Sequence, residues 1–163
     1  MKQYIRTPIG ILRIGSDQRK LRGIRLVEEA EEDLANPVTE KAALQLQEYF
    51  EKKRTEFSIF FMTHGTPFQK AVWHKMNEIP YGKVVTYGQL AAAIGQPTAV
   101  RAVANAVGQN PVLILQPCHR VVAAEGLGGF SAGLEAKRKL LRLEGVEISE
   151  KTAFSEKYFF TFP

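Results

Sequence analysis

The chain has 163 residues, of which 45% are hydrophobic, 24% charged and 10% aromatic, a globular make-up that excludes a disordered, collagen-like or low-complexity protein. Lys and Arg number 22 against 17 Asp and Glu, for a net charge of +5, which permits a nucleic-acid partner without establishing one. No apolar run approaches the roughly 20 residues of a membrane helix, no secretory leader is expected from Met1–Arg6, and the single cysteine excludes an internal disulfide or a thiolate zinc cage and suits a reducing cytoplasm.

Residues 1–62 read as a small α/β domain, a sheet plus a helix. Tyr4–Thr7, Ile9–Gly15 and Leu21–Val27 are short runs rich in Ile and Leu, separated by Pro8–Gly10 and Ser16–Asp17, and are expected strands. In the second run Ile9, Ile11 and Ile14 mark the expected apolar alternation. After the acidic stretch Glu28–Asp33, Asn36 and Pro37 start a helix, since a first-turn proline loses no hydrogen bond. Ala42, Leu46, Tyr49 and Phe50 then share one face. Glu56–Met62 is a last strand or an apolar connector.

Residues 63–150 read as a second, mainly helical domain, and 151–163 as a tail. The basic bias concentrates here: between Thr66 and Ala124, Lys70, Lys75, Lys83, Arg101 and Arg120 stand against one acid, Glu78. Thr66-Pro67-Phe68-Gln69 is an N-cap with a first-turn proline and a capping-box Gln, and Thr86-Tyr87-Gly88-Gln89 is a second box. Gly95-Gln96-Pro97 makes a turn, and Thr98 is expected to cap a third helix ending near Gly108. Two short helices joined by a Gly-containing turn fit a helix-turn-helix and equally an ordinary helical hairpin. The third helix is clad in small residues, Ala99, Ala102 and Ala104 among them, with Arg101 alone able to reach outward. The tail aromatics Phe154, Tyr158, Phe159, Phe160 and Phe162 are expected to pack onto the body, because five exposed rings would aggregate.

The chemistry points to one segment. The apolar run Val112–Leu115, expected as a buried strand, leads to Gln116-Pro117-Cys118-His119-Arg120-Val121. A nucleophilic cysteine needs a base or a positive field, and His119 and Arg120 are adjacent. Neighbouring side chains of an extended segment diverge, so a bridging water is the expected route from Cys118 to His119. His119 then needs an orienting acid. Glu144 is the candidate: it ends a helix from Leu134 that stops at Gly145, and an acid there opposes the helix dipole unless a cation compensates it. Leu127–Gly133 is a Gly-rich loop without the spacing of a phosphate loop, better suited to wall a flat ligand. On these residues alone a helix-turn-helix regulator without chemistry and a Cys-His hydrolase using Asn110 both remain open.

Pro117-Cys118-His119-Arg120-Val121 resembles the active-site signature of the O6-alkylguanine-DNA alkyltransferases, or methylated-DNA–protein-cysteine methyltransferases. Tyr81-Gly82, Tyr87-Gly88-Gln89-Leu90-Ala91, Arg101-Ala102-Val103, Gly108-Gln109-Asn110-Pro111 and Leu143-Glu144-Gly145 follow the family's order, so the resemblance spans Thr66 to Gly145. It implies a ribonuclease-H-like N-terminal domain with a small antiparallel sheet, then a winged-helix-like DNA-binding domain. It implies DNA repair in which the alkyl group of O6-alkylguanine passes irreversibly to Cys118, once per molecule, with the nucleotide flipped out. O4-alkylthymine is a second candidate substrate.

The resemblance also implies roles: His119 as the water-mediated base, Glu144 as its orienting acid, Asn110 as a brace of the active-site turn, and Tyr87 as donor to guanine ring nitrogen 3. Backbone at Cys118, Val121 and Ser131 reads the guanine edge, with Phe130 and Gly133 in the same loop. Arg101 is the finger that replaces the flipped nucleotide, and Thr86, Gln89, Ala99, Ala102 and Arg120 accompany it at the DNA. The helix lies in the minor groove, with little sequence preference. Phe130 stands where some relatives carry Tyr, so no hydroxyl acts there. No cofactor, metal or membrane is expected, and the partner is double-stranded DNA met by a monomer.

Overall fold

In the computed structural model, which describes residues 1–148 and 154–163, the chain divides into two compact units. One is Met1–Thr63 with Pro111–Leu113, and the other His64–Asn110 with Ile114–Pro163. The first unit is a small sheet with one helix. Strands β1 (Lys2–Thr7), β2 (Gly10–Ser16) and β3 (Leu21–Val27) form an antiparallel meander in the order β1-β2-β3. The buried phase of β2 is Leu12 and Ile14, so Ile11 falls on the opposite pleat from the one that fills the core, and Ile9 lies in the turn before the strand. A bulge between Gly15 and Ser16 ends the alternation. Helix α1 (Pro37–Phe50) starts at Asn36, whose side chain accepts from Thr39 in a capping box. Its Ala42, Ala43, Leu46 and Tyr49 join Ile5, Leu12, Ile14, Leu21 and Ile24 in the core.

Both outer edges of this sheet are covered. The acidic stretch, for which the sequence offers no reading, runs along β1. Lys2 and Leu34 exchange backbone hydrogen bonds of 3.0 and 2.9 Å, Asp33 accepts from the Tyr4 amide at 3.0 Å, and Glu31 takes the Lys2 ammonium and, at 3.2 Å, the Tyr4 hydroxyl. Charge laid along an edge strand blocks pairing with another chain. On the β3 side Phe61 bridges Leu21 and Val112 bridges Ile24, so the 56–62 segment is a connector touching the sheet at one residue pair.

The second unit holds α2 (Pro67–Met76), α3 (Tyr87–Ala93), α4 (Val100–Gly108) and α5 (Leu134–Leu143), with a two-residue parallel pair of β4 (Val85–Thr86) and β5 (Val121–Val122). Capping boxes Thr66/Gln69 and Thr86/Gln89 open α2 and α3. Trp73 of α2 donates its indole N–H to the Ala106 carbonyl of α4 at 2.8 Å, with Val72, Met76, Leu90, Val103 and Val107 buried around them. The turn between α3 and α4 runs to Ala99, and α4 begins at Val100 with no side-chain cap; Thr98 lies in the turn and does not cap the helix.

Two further expectations need correction or completion. Val112–Leu115 is not a strand. Its bridges, at Val112 and Leu113, are isolated, and Ile114 sits at φ 72°, a left-handed conformation that a β-branched residue adopts only where its surroundings dictate it. The tail packs onto its unit: the Val84 amide donates to the Tyr158 carbonyl at 2.8 Å and Phe160 donates back to Val84 at 2.9 Å. Phe154, Tyr158 and Phe159 cover the buried cluster of Val84, Val122, Leu141 and Val146. The tail's first three residues, 151–153, lie outside the described residues. Among the described residues no helix is long and apolar enough to cross a membrane.

Candidate active site

The left-handed step at Ile114 turns the chain into Gln116-Pro117, and a single 3-10 turn, Cys118–Arg120, follows. It is closed by Arg120 N–H donating to the Pro117 carbonyl at 3.0 Å. Cys118 and His119 are therefore successive residues of one tight turn rather than of an extended run. A reciprocal amide pair braces the approach: Asn110 Nδ2 donates to the Gln116 carbonyl at 2.7 Å, and Gln116 Nε2 donates to Asn110 Oδ1 at 2.8 Å.

Helix α5 supplies the acid. Gly145 at φ 87° takes the left-handed position that ends the helix, leaving Glu144 as its C-cap. The carboxylate is buried and fully engaged. Oε2 lies 2.6 Å from His119 Nε2 and accepts from Arg120 Nη2 at 3.0 Å; Oε1 accepts from Arg120 Nε at 2.8 Å and from the Gly82 amide at 3.0 Å. Burial by itself raises the Glu144 carboxyl, but His119 and Arg120 outweigh it and hold the group well below the usual carboxylate range. Glu144 is thus an acceptor only, and His119 Nε2–H donates to it. His119 is 0% exposed. Burial pushes its proton affinity down against the pull of Glu144, with Arg120 and Lys137 adding to the depression. The ring is therefore neutral, and its Nδ1 has no hydrogen-bond partner among the described residues.

Cys118 is 2% exposed. Burial pushes its thiol up to about 11, against Asn110, Lys137 and the turn's own amides, which favour the thiolate. At rest the sulfur is a protonated thiol that needs a base. Arg120 requires a correction. It is 7% exposed, with Nη1 donating to the Ile79 carbonyl at 2.8 Å and the rest of its fork on Glu144, so it belongs to this network and not to a DNA-facing surface. Its sequence position next to His119 gave no hint that the turn would drive it inward.

The walls come from the Gly-rich loop and α3. Tyr87 donates its hydroxyl to the Gly129 carbonyl at 3.3 Å. Gly128, at φ 72°, lies against the same ring: a Cβ there would sit 2.8 Å from the Tyr87 hydroxyl, so only glycine permits this approach. Val121 is buried, Phe130 half-buried, and Ser131 and Gly133 exposed. Lys137 is the residue that the sequence reading misses. It is 0% exposed, donates to the carbonyls of Val121 at 2.7 Å, Gly129 at 3.0 Å and Leu127, and lies about 6 Å from the ring centroids of Tyr87 and Phe130. Burial lowers its ammonium to about 8. The signal was its helical phase, since residues 137, 140, 141 and 144 share the inner face of α5.

On α4, Arg101 and Ala102 are exposed and Ala99 half-buried. The half-buried Thr86 and the exposed Gln89 are tied to each other in their capping box, with Thr86 Oγ1 accepting from the Gln89 amide at 3.0 Å. Among the described residues no three His, Cys, Asp or Glu side chains gather as metal ligands.

Two family models match the chain in order: 6-O-methylguanine DNA methyltransferase, ribonuclease-like domain, over residues 1–62, and 6-O-methylguanine DNA methyltransferase, DNA binding domain, over residues 67–146. A methylated-DNA–protein-cysteine methyltransferase of Methanosarcina acetivorans is 40% identical, covering 85% of this chain and 94% of its own. One from Haemophilus influenzae is 42% identical over 91% and 88%. The crystal structure of Mycobacterium tuberculosis OGT in complex with DNA superposes with a TM-score of 0.80 at 39% identity, covering 88% of this chain and 91% of that one. The matched segments carry the cysteine turn, its histidine and the acid that closes on it, and the chain belongs to the 6-O-methylguanine DNA methyltransferase family.

Proposed function

We propose that this protein repairs alkylated DNA by moving the alkyl group from guanine O6 onto Cys118, once per molecule. The observation that carries the reading is the buried hydrogen bond between His119 and an ionised Glu144, adjoining the chain's one cysteine inside the matched family segment. With Nε2–H committed to Glu144, Nδ1 is the ring's proton acceptor. The Cys118 proton passes through a bridging water to Nδ1. Sulfur then bonds to the alkyl carbon as the carbon–O6 bond breaks, and its electron pair stays on the purine. Protonation of the purine yields guanine, and the thioether has no easy return. Asn110 holds the turn and favours the thiolate.

A buried thiol reaches the alkyl carbon only if the nucleotide leaves the stack. Arg101, exposed on α4 beside Ala102 and near Ala99, suits the place of the departed base, and the small side chains allow a close approach to the minor groove. Thr86 and Gln89 set the start of α3 near the backbone. Entry of the base exchanges the long Tyr87–Gly129 hydrogen bond for one to ring nitrogen 3 of the purine, which stabilises the leaving group as charge develops. Val121, Phe130, Ser131 and Gly133 wall the pocket and offer backbone groups to the guanine edge. In this reading residues 1–62 are the ribonuclease-H-like domain, 63–150 the winged-helix-like domain and 151–163 the tail, and a monomer acts without cofactor.

Intact mass spectrometry after incubation with DNA containing O6-methylguanine tests the proposal. One methyl group per chain, located on Cys118, is expected; an unchanged mass, or more than one lesion repaired per molecule, overturns it.

A further inference from the structure

Glu144 has two basic partners, and only one of them is the imidazole. Arg120 grips both carboxylate oxygens, at 2.8 and 3.0 Å, while its third nitrogen is fixed to Ile79. Its guanidinium lies 5.9 Å from the Tyr81 ring centroid. The groups facing this trio are the Tyr81 hydroxyl, which donates to the Leu143 carbonyl at 3.2 Å, the Gly82 amide, and the Lys137 ammonium and Cys118 thiol on the His119 side. We infer that Arg120 is a positioning residue that keeps His119 Nδ1 bare by neutralising Glu144.

Guanidinium, carboxylate and neutral imidazole sum to zero charge. A further proton would leave a buried, uncompensated cation beside Lys137, so the trio refuses it. Without Arg120 the carboxylate and neutral imidazole would sum to one buried negative charge, and uptake of a proton would neutralise it. That proton has two places to go. On the imidazole it gives an imidazolium with Nδ1–H. On the carboxyl it makes Glu144 the donor to Nε2, which moves the ring's own proton to Nδ1. Either way Nδ1 carries hydrogen and cannot accept one from Cys118. The direction found for His119, with Arg120 and Lys137 depressing its proton affinity alongside burial, agrees with this count. The placement of the proton follows from these contacts and charges whatever the protein acts on; its consequence for alkyl transfer rests on the function proposed above.

Nitrogen-15 NMR of histidine-labelled full-length protein tests it. The buried ring of the unmodified protein is expected to show a bare Nδ1 and a protonated Nε2 at pH 7. Arg120→Met is expected to show Nδ1 protonated at pH 7, with single-turnover methyl transfer about 100-fold slower there and recovering as pH rises, the scale of a lost general base. Arg120→Lys restores the charge without the fork, and is expected to restore the bare Nδ1 and bring the rate within about 10-fold of the unmodified protein. A protonated Nδ1 in the unmodified protein at pH 7 overturns the inference with no variant needed. So does a folded Arg120→Met whose Nδ1 stays bare, or a folded Arg120→Lys that keeps Nδ1 protonated. Methyl uptake with a protonated Nδ1 defeats this inference and leaves the repair reading intact. No methyl uptake with a bare Nδ1 does the reverse.

Discussion

In the first unit the ion pairs lie at the surface. Lys2 with Glu31 and Arg22 with Asp17 line the rim of the sheet, and each partner keeps contact with water. The second unit also carries charges inside: His119 and Arg120 share the buried carboxylate of Glu144, and Lys137 stands among carbonyls nearby. The contrast teaches what each charge does. At the surface, water screens the pair and the side chains guard an edge strand. In the interior each charge is tolerable only because the others are present, so the set acts as a unit.

The largest effect should come from dismantling the interior set. Glu144→Ala leaves Arg120 and the imidazole without their anion, and a loss of about 3–5 kcal/mol in urea unfolding is expected. A loss below about 1 kcal/mol would erase the contrast.

Next comes a pH effect specific to the second unit. The Cys118 thiol is raised from 9.0 to about 11 by burial, so the folded state keeps a proton that the unfolded chain gives up. The stability this provides is complete below pH 9 and is lost as pH rises through 11. Cys118→Ala removes the term. The variant is expected to gain on the parent by up to about 3 kcal/mol between pH 8 and 11, from two pKa units. A constant difference across that range would contradict the burial of the thiol.

A smaller change is expected in the first unit from its best-formed local device. Asn36→Ala deletes the α1 capping box and should cost about 1 kcal/mol, read in the same urea titration. Least of all, Glu31→Gln should leave the urea midpoint where it was, since exposed pairs contribute little. If Glu31→Gln shifted the midpoint as far as Asn36→Ala, the rim would be more than an edge guard.

Legibility followed the range of the interaction. Asn36/Thr39, Thr66/Gln69 and Thr86/Gln89 are contacts over three residues, and the helices they open are where the spacing puts them. Thr98 has the right chemistry for a cap, yet the turn delays α4 to Val100, because turn geometry is set by packing. Val112–Leu115 has a strand's composition, but the kink at Ile114 comes from what surrounds it. Glu144 drew attention as an acid at a helix end in need of a cation; that Arg120 is that cation was invisible, and a basic residue of the motif was assigned to the surface instead.

The amino-acid sequence by itself determined the two-part organisation into a sheet-and-helix region and a helical region, the helix starts, and the cysteine turn that carries the family's signature, because each is written in neighbours a few residues apart or in a contiguous motif. Only the tertiary structure decided the inward turn of Arg120, the burial of Lys137, the meeting of His119 Nε2 with Glu144 and the edge-guarding course of the acidic stretch. Those depend on electrostatics in a desolvated interior and on hydrogen bonds between residues 8 or more positions apart, and no local pattern records which distant charges will share one carboxylate.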